Sequence, residues 1–166
     1  MKITKKERKA KRSLIIQKAR VQKIEDFLIE NAAPTYCPAR HHFTNNDDAL
    51  LNITCREFFM PAGTIVTGTI YKIECFWLMV SGSMTMVEGD NTKEVAAPIL
   101  LKNVVGTKNA LYAHTDCLFY GFIPNPTNSR DLEEIINTFS AIDASELYDM
   151  PNNKQQMIYQ RRIRSC

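Results

Sequence analysis

Residues 54–64 read TCREFFMPAGT and residues 75–90 read CFWLMVSGSMTMVEGD, and these two stretches decide the fold. In both, short runs rich in apolar, β-branched or aromatic residues are broken by Pro-Ala-Gly, Ser-Gly or Gly-Asp, which favour tight turns. All six glycines of the 166-residue chain lie between positions 63 and 121. Because glycine marks the tight turns between strands, this window is predicted to hold turn-rich β structure.

The window 54–126 predicts seven or eight short strands. They are Thr54–Met60, Thr64–Ile70, Glu74–Ser81, Ser83–Glu88, Lys93–Ala97, Ile99–Asn103, Asn109–Ala113 and Cys117–Ile123. Short strands at a spacing of roughly 8 to 12 residues are typical of a β-sandwich or a small barrel. The predicted fold class is therefore mainly β.

The N-terminal side of this window predicts a helix and a loop. From Lys5 to Ile29 there is no Gly or Pro, and apolar residues recur at helical spacing among charges. These apolar residues are Leu14, Ala19, Val21, Ile24 and Leu28. We expect a long basic helix in an N-terminal arm, residues 1–33, that ends near Asn31, followed by a connecting loop over residues 34–53.

The C-terminal side predicts a short helix, with Ser129 in position to cap it. Its predicted first turn holds the acids Asp131, Glu133 and Glu134, and its apolar stripe is Leu132, Ile135, Ile136 and Phe139. Acids are favoured there because they complement the helix dipole. We expect residues 127–150 to form a helical segment packed on the β domain, and residues 151–166 to form a basic tail.

The net charge of +3 conceals a separation of charge along the chain. Residues 1–23 hold ten basic residues and one acid, and residues 154–166 hold four basic residues and no acid. The middle, residues 24–153, holds seven basic and seventeen acidic residues, so that its net charge is −10. An acidic body with two basic ends is suited to contacts with neighbouring copies or with a polyanion.

The candidate partner-binding residues are the cations of the two ends. They are Lys5, Lys6, Arg8, Lys9, Lys11, Arg12, Lys18, Arg20, Arg161, Arg162 and Arg164. Three roles for these cations remain open. They could dock on an acidic protein surface, they could contact nucleic acid through the arm, or they could form a solvated helix face without a partner.

The β window also resembles a known family. The resemblance lies in REFFMPAGT (56–64), Gly68, LMVSGSMTM (78–86), Ala97-Pro98, VVGTK (104–108) and the strand that ends near Ile123-Pro124. These features resemble the two halves of a cupin, and they are most similar to small cupin-like proteins encoded by tailed bacteriophages. The resemblance implies a jelly roll, or double-stranded β-helix, over residues 54–126.

Metal-dependent cupins carry paired histidines and a glutamate in the first motif and another histidine in the second. Here the first motif falls on residues 71–75, where only Glu74 and Cys75 are of ligand type, and the second offers Asn109. Glu74, Cys75 and His114 form the best metal set that can be assembled from these residues. Because the defining imidazoles are missing, we expect no metal and no cofactor.

Other chemical candidates are weaker. Cys37, His41, His42 and Cys55 could ligate zinc, but they lack the paired spacing of a structural zinc motif. His114 and Cys117 are three residues apart, which on a strand places them on opposite faces and disfavours a nucleophile–base pair. The cysteines are expected to be reduced and structural, since no CxxC pair and no signal peptide is present.

A ligand site at the mouth of the barrel remains an alternative. Its candidate residues are Tyr71, Glu74, Trp77, Asn109 and Tyr112.

The favoured hypothesis is a non-catalytic structural or adaptor protein of a phage particle, made in the host cytoplasm, that binds other virion proteins and copies of itself. The alternatives are a cupin-type enzyme or ligand-binding protein and a nucleic-acid-binding regulator. No stretch is long and apolar enough for a membrane helix, so no membrane partner is expected.

Overall fold

The computed structural model describes residues 19–141. Helix α1 covers residues 19–31, a 3-10 turn covers Ala49–Leu51, and α2 covers Leu132–Phe139. The strands are β1 (Ala39–Phe43), β2 (Ile53–Met60), β3 (Ile65–Thr67), β4 (Ile70–Tyr71), β5 (Cys75–Ser81), β6 (Ser83–Glu88), β7 (Asn91–Ala96), β8 (Ile99–Asn103), β9 (Asn109–Ala113), β10 (Cys117–Pro124) and β11 (Ser140–Ala141). Neither helix within residues 19–141 is long and apolar enough to cross a bilayer.

Two antiparallel sheets form the body. The first has the spatial order β1–β2–β10–β5–β8, the second has the order β3–β9–β6–β7, and β4 pairs separately with β11. If β1 and the β4–β11 pair are set aside, eight strands remain, and successive strands alternate between the sheets except at the β6–β7 hairpin. This strand order is that of an eight-stranded jelly roll built from two Greek keys. The predicted jelly roll is therefore confirmed.

The hydrophobic core lies between the two sheets. Its fully buried members include Met60 and Met79 on the first sheet and Met84 and Ala113 on the second. A second cluster forms where α2 packs, through Ile135, Ile136 and Phe139, against Tyr71, Cys75 and Ile123. Helix α2 therefore closes one end of the sandwich.

The predicted strands are found, with two differences. The predicted strand Thr64–Ile70 is interrupted at Gly68, whose N–H donates to the Asn109 carbonyl at 2.8 Å, so that β3 and β4 belong to different sheets. The predicted connecting loop 34–53 contains β1, which pairs with β2. The sequence of β1, ARHHF, has no β-branched residue, and its extended conformation comes from its pairing with β2.

The predicted C-terminal helix is found, but its N-cap is Asp131 and not Ser129. The Asp131 carboxylate accepts from the Glu133 N–H at 2.8 Å, and the Ser129 hydroxyl accepts from the Asp131 N–H. Because an aspartate side chain caps as well as a serine, the helix begins two residues later than expected. It ends at Phe139, where the chain continues into β11, and the remainder of the predicted segment 127–150 lies outside the described residues.

Helix α1 ends at residue 31, close to the predicted position. Val21 is fully buried, whereas Lys23 and Asp26 are exposed, so the helix has one buried and one exposed side. The first eighteen residues of the predicted arm, and the basic tail 151–166, lie outside the described residues.

Candidate functional site

The inner face of the first sheet carries a row of polar and aromatic residues. His41 lies opposite Arg56, Arg56 opposite Gly121, Gly121 opposite Trp77, and Trp77 opposite Leu101. Residues directly opposite each other in antiparallel strands point to the same face. Trp77 and Leu101 pack against the core cluster, which shows that this row faces the second sheet.

Gly121 makes room for the aromatic member of this row. A Cβ atom at position 121 would lie 2.7 Å from atoms of the Trp77 indole, closer than any real contact. The neighbouring Arg56 places its Cζ atom 5.2 Å from the centre of the Phe58 ring. An arginine and a tryptophan are thus held on either side of a position that has no side chain.

Several inward-facing side chains near this row are only half-buried. Arg56, Phe58, Trp77 and Leu111 all lie on β2, β5 or β9, and none of these three strands is at the edge of its sheet. Their partial exposure does not come from a position at a sheet edge. We call these four residues, and the space between the sheets that they line, the inter-sheet cleft.

A polar network lies beside the inter-sheet cleft, towards the end that α2 closes. The Asn109 amide donates to the Asn103 side-chain oxygen at 3.0 Å, and both residues are buried. Asn103 lies opposite Cys75 in the β5–β8 pairing, and both Asn103 and Trp77 lie close enough to Tyr71 and Cys75 to influence the pKa of each. The network therefore connects the cleft to the buried interface with α2, where the Tyr71 and Phe139 rings lie 6.2 Å apart.

Burial controls protonation in this network. Desolvation raises the pKa of Tyr71 well above its usual range, although the positive charge of Arg56 and the nearby polar side chains of Trp77 and Asn103 oppose this. Desolvation also raises the pKa of Cys75 to about 11, so its thiol is protonated at neutral pH. Tyr71 and Cys75 are accordingly neutral hydrogen-bonding groups.

His41 and Arg56 place a titratable group next to a fixed cation. Desolvation lowers the pKa of His41, and the positive charges of Arg56 and His42 lower it further. The imidazole is therefore neutral at neutral pH, and Arg56 provides the positive charge of the inter-sheet cleft.

Three of the five predicted barrel-mouth residues come together in the structure. Tyr71, Trp77 and Asn109 belong to the polar network and the cleft. Glu74 does not join them, because it is exposed and forms an ion pair of 2.8 Å with Lys102. Tyr112 does not join them either, because it is exposed and packs edge-on against His114 on the outer face of the second sheet.

The metal-ligand candidates do not converge. Glu74 and His114 are exposed, and Cys75 is buried with α2. In the zinc alternative, His42 lies opposite Cys55 but contacts Glu57 at 3.2 Å. Among residues 19–141, no three His, Cys, Asp or Glu side chains are arranged to hold a metal ion.

The structure also separates His114 from Cys117. Cys117 is buried in the core and bonds to the Ser83 carbonyl, whereas His114 lies 2.7 Å from the Thr85 hydroxyl on the outer face. The separation is as predicted, but its reason differs: His114 follows β9 of the second sheet and Cys117 begins β10 of the first, so the two residues flank a crossing between the sheets and do not share a strand.

Three residues of the site were missed in the sequence. Arg56 is an even number of positions from Thr54, Phe58 and Met60 on the same strand, so all four side chains point to the same face of the sheet. This spacing is the sequence signal that marks Arg56 as inward-facing. His41 is assigned to the cleft row only because β1 pairs with β2. Asn103 ends β8 and gives no sequence signal of its contact with Asn109.

One predicted partner-binding cation has an intramolecular role. Arg20 donates to the Gly89 carbonyl at 3.2 Å and to the Thr92 hydroxyl at 3.4 Å, which docks α1 on the β6–β7 hairpin. Arg20 is nevertheless exposed, and its role in binding a partner stays a prediction. The other predicted cations lie outside residues 19–141.

Helix α1 makes a second polar contact with the body. The Lys108 ammonium is almost fully buried and lies 2.7 Å from the Glu25 carboxylate, which also accepts from the Thr67 hydroxyl at 3.3 Å. Lys108 precedes Asn109, so α1 lies across the end of the sandwich that holds the polar network.

The chain is similar in fold to several solved structures. No protein-family model and no curated protein sequence matches it. A cupin superfamily protein from Desulfitobacterium hafniense is 12% identical, with 57% of this chain and 82% of that chain covered and a TM-score of 0.45. KdgF from Halomonas sp. is 8% identical, with coverage of 55% and 83% and a TM-score of 0.44.

A salicylate 1,2-dioxygenase from Pseudaminobacter salicylatoxidans is 16% identical, with 66% of this chain covered and a TM-score of 0.48. The chain spans about a third of that enzyme, since 33% of the enzyme's length is covered. At these values the similarity assigns neither a family nor an activity to the chain.

Proposed function

We propose that the protein binds a small organic carboxylate in the inter-sheet cleft. The observation behind this proposal is that the half-buried Arg56, on a central strand, lies in the inward-facing row of the first sheet, with only Gly121 between it and Trp77. The positive charge of Arg56 is permanent, because a guanidinium stays protonated at any pH that a folded protein meets. The guanidinium has five N–H donors in a planar fork, and this geometry matches a carboxylate.

The surroundings of Arg56 favour a ligand with an apolar body. Phe58, Trp77 and Leu111 present two aromatic rings and one aliphatic side chain to the cleft. Burial of apolar ligand atoms against these side chains would supply affinity, while Arg56 would fix the orientation of the charged end. An aromatic or branched aliphatic carboxylate fits both requirements.

The chain contains a reporter for this binding. Trp77 is the only tryptophan in the sequence and lines the cleft, so its fluorescence responds to a ligand that enters there. Titration with benzoate and with isovalerate should give a saturable change. Benzamide, which has the same ring without the charge, should bind at least about tenfold more weakly, since charge-assisted hydrogen bonds are the stronger ones.

The Arg56→Gln variant should lose carboxylate binding by about tenfold or more. Arg40→Gln is the matched control, because Arg40 lies next to His41 on the exposed edge strand and its change should leave the titration unaltered. Equal binding of benzoate by wild-type protein and Arg56→Gln, in samples with equal melting temperatures, contradicts the proposal. The absence of any fluorescence response to either carboxylate contradicts it too.

The adaptor role in a phage particle and the nucleic-acid-binding role stay predictions. Apart from Arg20, the basic residues on which they rest lie outside residues 19–141. The ligand-binding alternative rests on residues that the structure describes, and for that reason it is the function put forward.

A further inference from the structure

The first two strands distribute their charged residues unequally between the two faces of the first sheet. On the outer face, Glu57 lies opposite Arg40 and contacts His42 at 3.2 Å, so an acid accompanies the basic side chains of that face. On the inner face, His41 lies directly opposite Arg56. Side chains in such positions have Cβ atoms about 4.5–5.5 Å apart and point the same way. The inner face therefore places a titratable imidazole beside a permanent cation.

No acid accompanies this pair on the inner face of the first sheet. The row that contains the pair continues through Gly121 and Trp77 to Leu101. The strand positions in the two neighbouring rows, all within residues 19–141, are likewise free of Asp and Glu. These positions are Phe43, Thr54, Ile123, Cys75 and Asn103 towards α2, and Ala39, Phe58, Phe119, Met79 and Ile99 on the other side.

The charged groups that other elements bring towards this space do not neutralise the pair. Among the described strands of the second sheet, the inward positions carry charge only at Glu88 and Lys93, which form an ion pair of 3.8 Å with each other. The segment before α2 adds a cation, because the Arg130 guanidinium lies 4.3 Å from the centre of the Phe43 ring on β1. Tyr71, whose pKa is influenced by the arginine of the pair, stays neutral because it is buried.

This arrangement disfavours a positive charge on His41 as long as no anion is bound. Like charges directly opposite each other across two strands are destabilising. The pKa of His41 accordingly lies below its ordinary value of 6.5, first because the ring is partly buried and then because of Arg56 and His42. A carboxylate next to the pair would reverse the balance, because a nearby negative charge stabilises the protonated imidazole.

We infer that His41 is the second anion-binding group of the inter-sheet cleft and takes up a proton when a carboxylate binds to Arg56. This inference rests on the proposed function, because it concerns the same ligand and the same site. One carboxylate oxygen accepts from the guanidinium, and the other accepts from the imidazolium N–H. The proton comes from solvent and is held by a ring nitrogen, and no bond of the ligand changes. The carboxylate therefore binds more tightly as the pH falls towards the range in which His41 titrates.

Calorimetric titration of the full chain with benzoate tests the inference. Benzoate should bind about threefold or more tightly at about pH 5.5 than at about pH 7.5, since each unit by which the ligand raises the pKa of His41 corresponds to about tenfold in affinity at full protonation. Repeating the titration in two buffers with different heats of ionisation measures the proton uptake directly. The apparent binding enthalpy should differ between the buffers, because the buffer supplies the proton.

The histidine signals in a nuclear magnetic resonance spectrum identify the group that takes up the proton. The chain has three histidines, so each ring can be followed through a pH titration. Benzoate should raise the pKa of His41 and leave those of His42 and His114 unchanged, because these two lie on the outer faces of the sheets. The signal that is missing from the His41→Gln variant assigns the resonance.

Two neighbouring variants separate the role of His41 from a general effect of pH. His41→Gln should bind benzoate with an affinity that no longer changes between about pH 5.5 and about pH 7.5, since glutamine does not titrate. His42→Gln is the matched control, because His42 is the next residue on the same strand and points to the opposite face, so its loss should leave the pH dependence intact. Circular dichroism melting of both variants checks that the fold is retained.

The outcomes distinguish this inference from the proposed function. If benzoate binds equally tightly at both pH values and the pKa of His41 does not move, the inference is overturned while the carboxylate site at Arg56 stands. If the pH dependence persists in His41→Gln, another group takes up the proton and the inference is again overturned. If benzoate binds at neither pH, the proposed function fails, and the inference fails with it.

Discussion

The indole of Trp77 lies directly over the backbone of Gly121, so closely that a methyl group at position 121 would overlap it. The two residues are cross-strand neighbours on β5 and β10, and Arg56 lies on the other side of the glycine. Because Gly121 has no side chain, the Trp77 indole can lie over β10, on the opposite side of Gly121 from Arg56.

Gly121→Ala should destabilise the protein and alter the cleft together. The new Cβ must displace the indole, and overpacking of this kind costs about 1–3 kcal/mol in the free energy of unfolding. Urea unfolding should show the loss, and the fluorescence maximum of Trp77 should move in the native state. An unchanged emission spectrum and unchanged stability would show that the indole does not lie over position 121.

Glu25→Gln should release α1 from the body. The change leaves the almost fully buried Lys108 ammonium without its carboxylate partner, a defect that weakens the contact by about 1–3 kcal/mol. Hydrogen exchange of residues 19–31 should become faster while β10 keeps its protection. Asp26→Asn is the control, because Asp26 is exposed on the same helix and bonds only to Gln22 among the described contacts. Equal exchange in both variants would contradict the docking role of Glu25.

His41 should make the stability of the protein depend on pH below neutrality. Its pKa in the folded state lies below the ordinary value of 6.5, so the unfolded chain takes up a proton first as the pH falls. The free energy of unfolding should therefore fall as pH drops from 6.5 towards the folded pKa. His41→Gln should reduce that slope in urea titrations at a series of pH values. The same slope in both proteins would show that another group titrates there.

Cys75 should resist alkylation in the native protein. With a pKa of about 11, only on the order of one thousandth of the thiol is ionised at pH 8, and the residue is buried against α2. Cys55 is only partly buried on the opposite face of the first sheet, and it provides the internal comparison. Mass spectrometry after treatment with iodoacetamide should find Cys55 modified well before Cys75. Modification of both at the same rate would contradict the packing of α2.

The strands of the jelly roll could be predicted largely because several glycines lie at the turns between strands. Gly63 and Gly82 both adopt positive φ angles, of 78° and 95°, and precede strands. The strand after Gly82 has the predicted bounds, Ser83–Glu88, whereas the predicted strand after Gly63 is interrupted at Gly68. The strand β1 could not be predicted in this way. Its histidines and arginine have no strong strand preference, and only the partner strand β2 determines their conformation.

The candidate site was only partly predictable, because some of its contacts depend on side-chain direction and on the tertiary fold. Tyr71 and Trp77 are large aromatic residues near the expected mouth of a barrel, and their residue type was enough to identify them as candidates. Glu74 was selected in the same way, but the parity of its position places it outside, in contact with Lys102. Asn103 and Asn109 are only six residues apart, but they end β8 and begin β9 in different sheets, so their contact depends on how the chain crosses between the sheets.

The central position of β10 has a consequence for biosynthesis. This strand lies between β2 and β5 in the first sheet, yet it is the last of that sheet's strands to be made. Until it leaves the ribosome, β2 and β5 each have an unpaired edge, and residues such as Phe119 have not yet covered the core. Such edges are prone to pair with other chains. The nascent protein therefore has a period of vulnerability to aggregation that ends only when β10 is inserted.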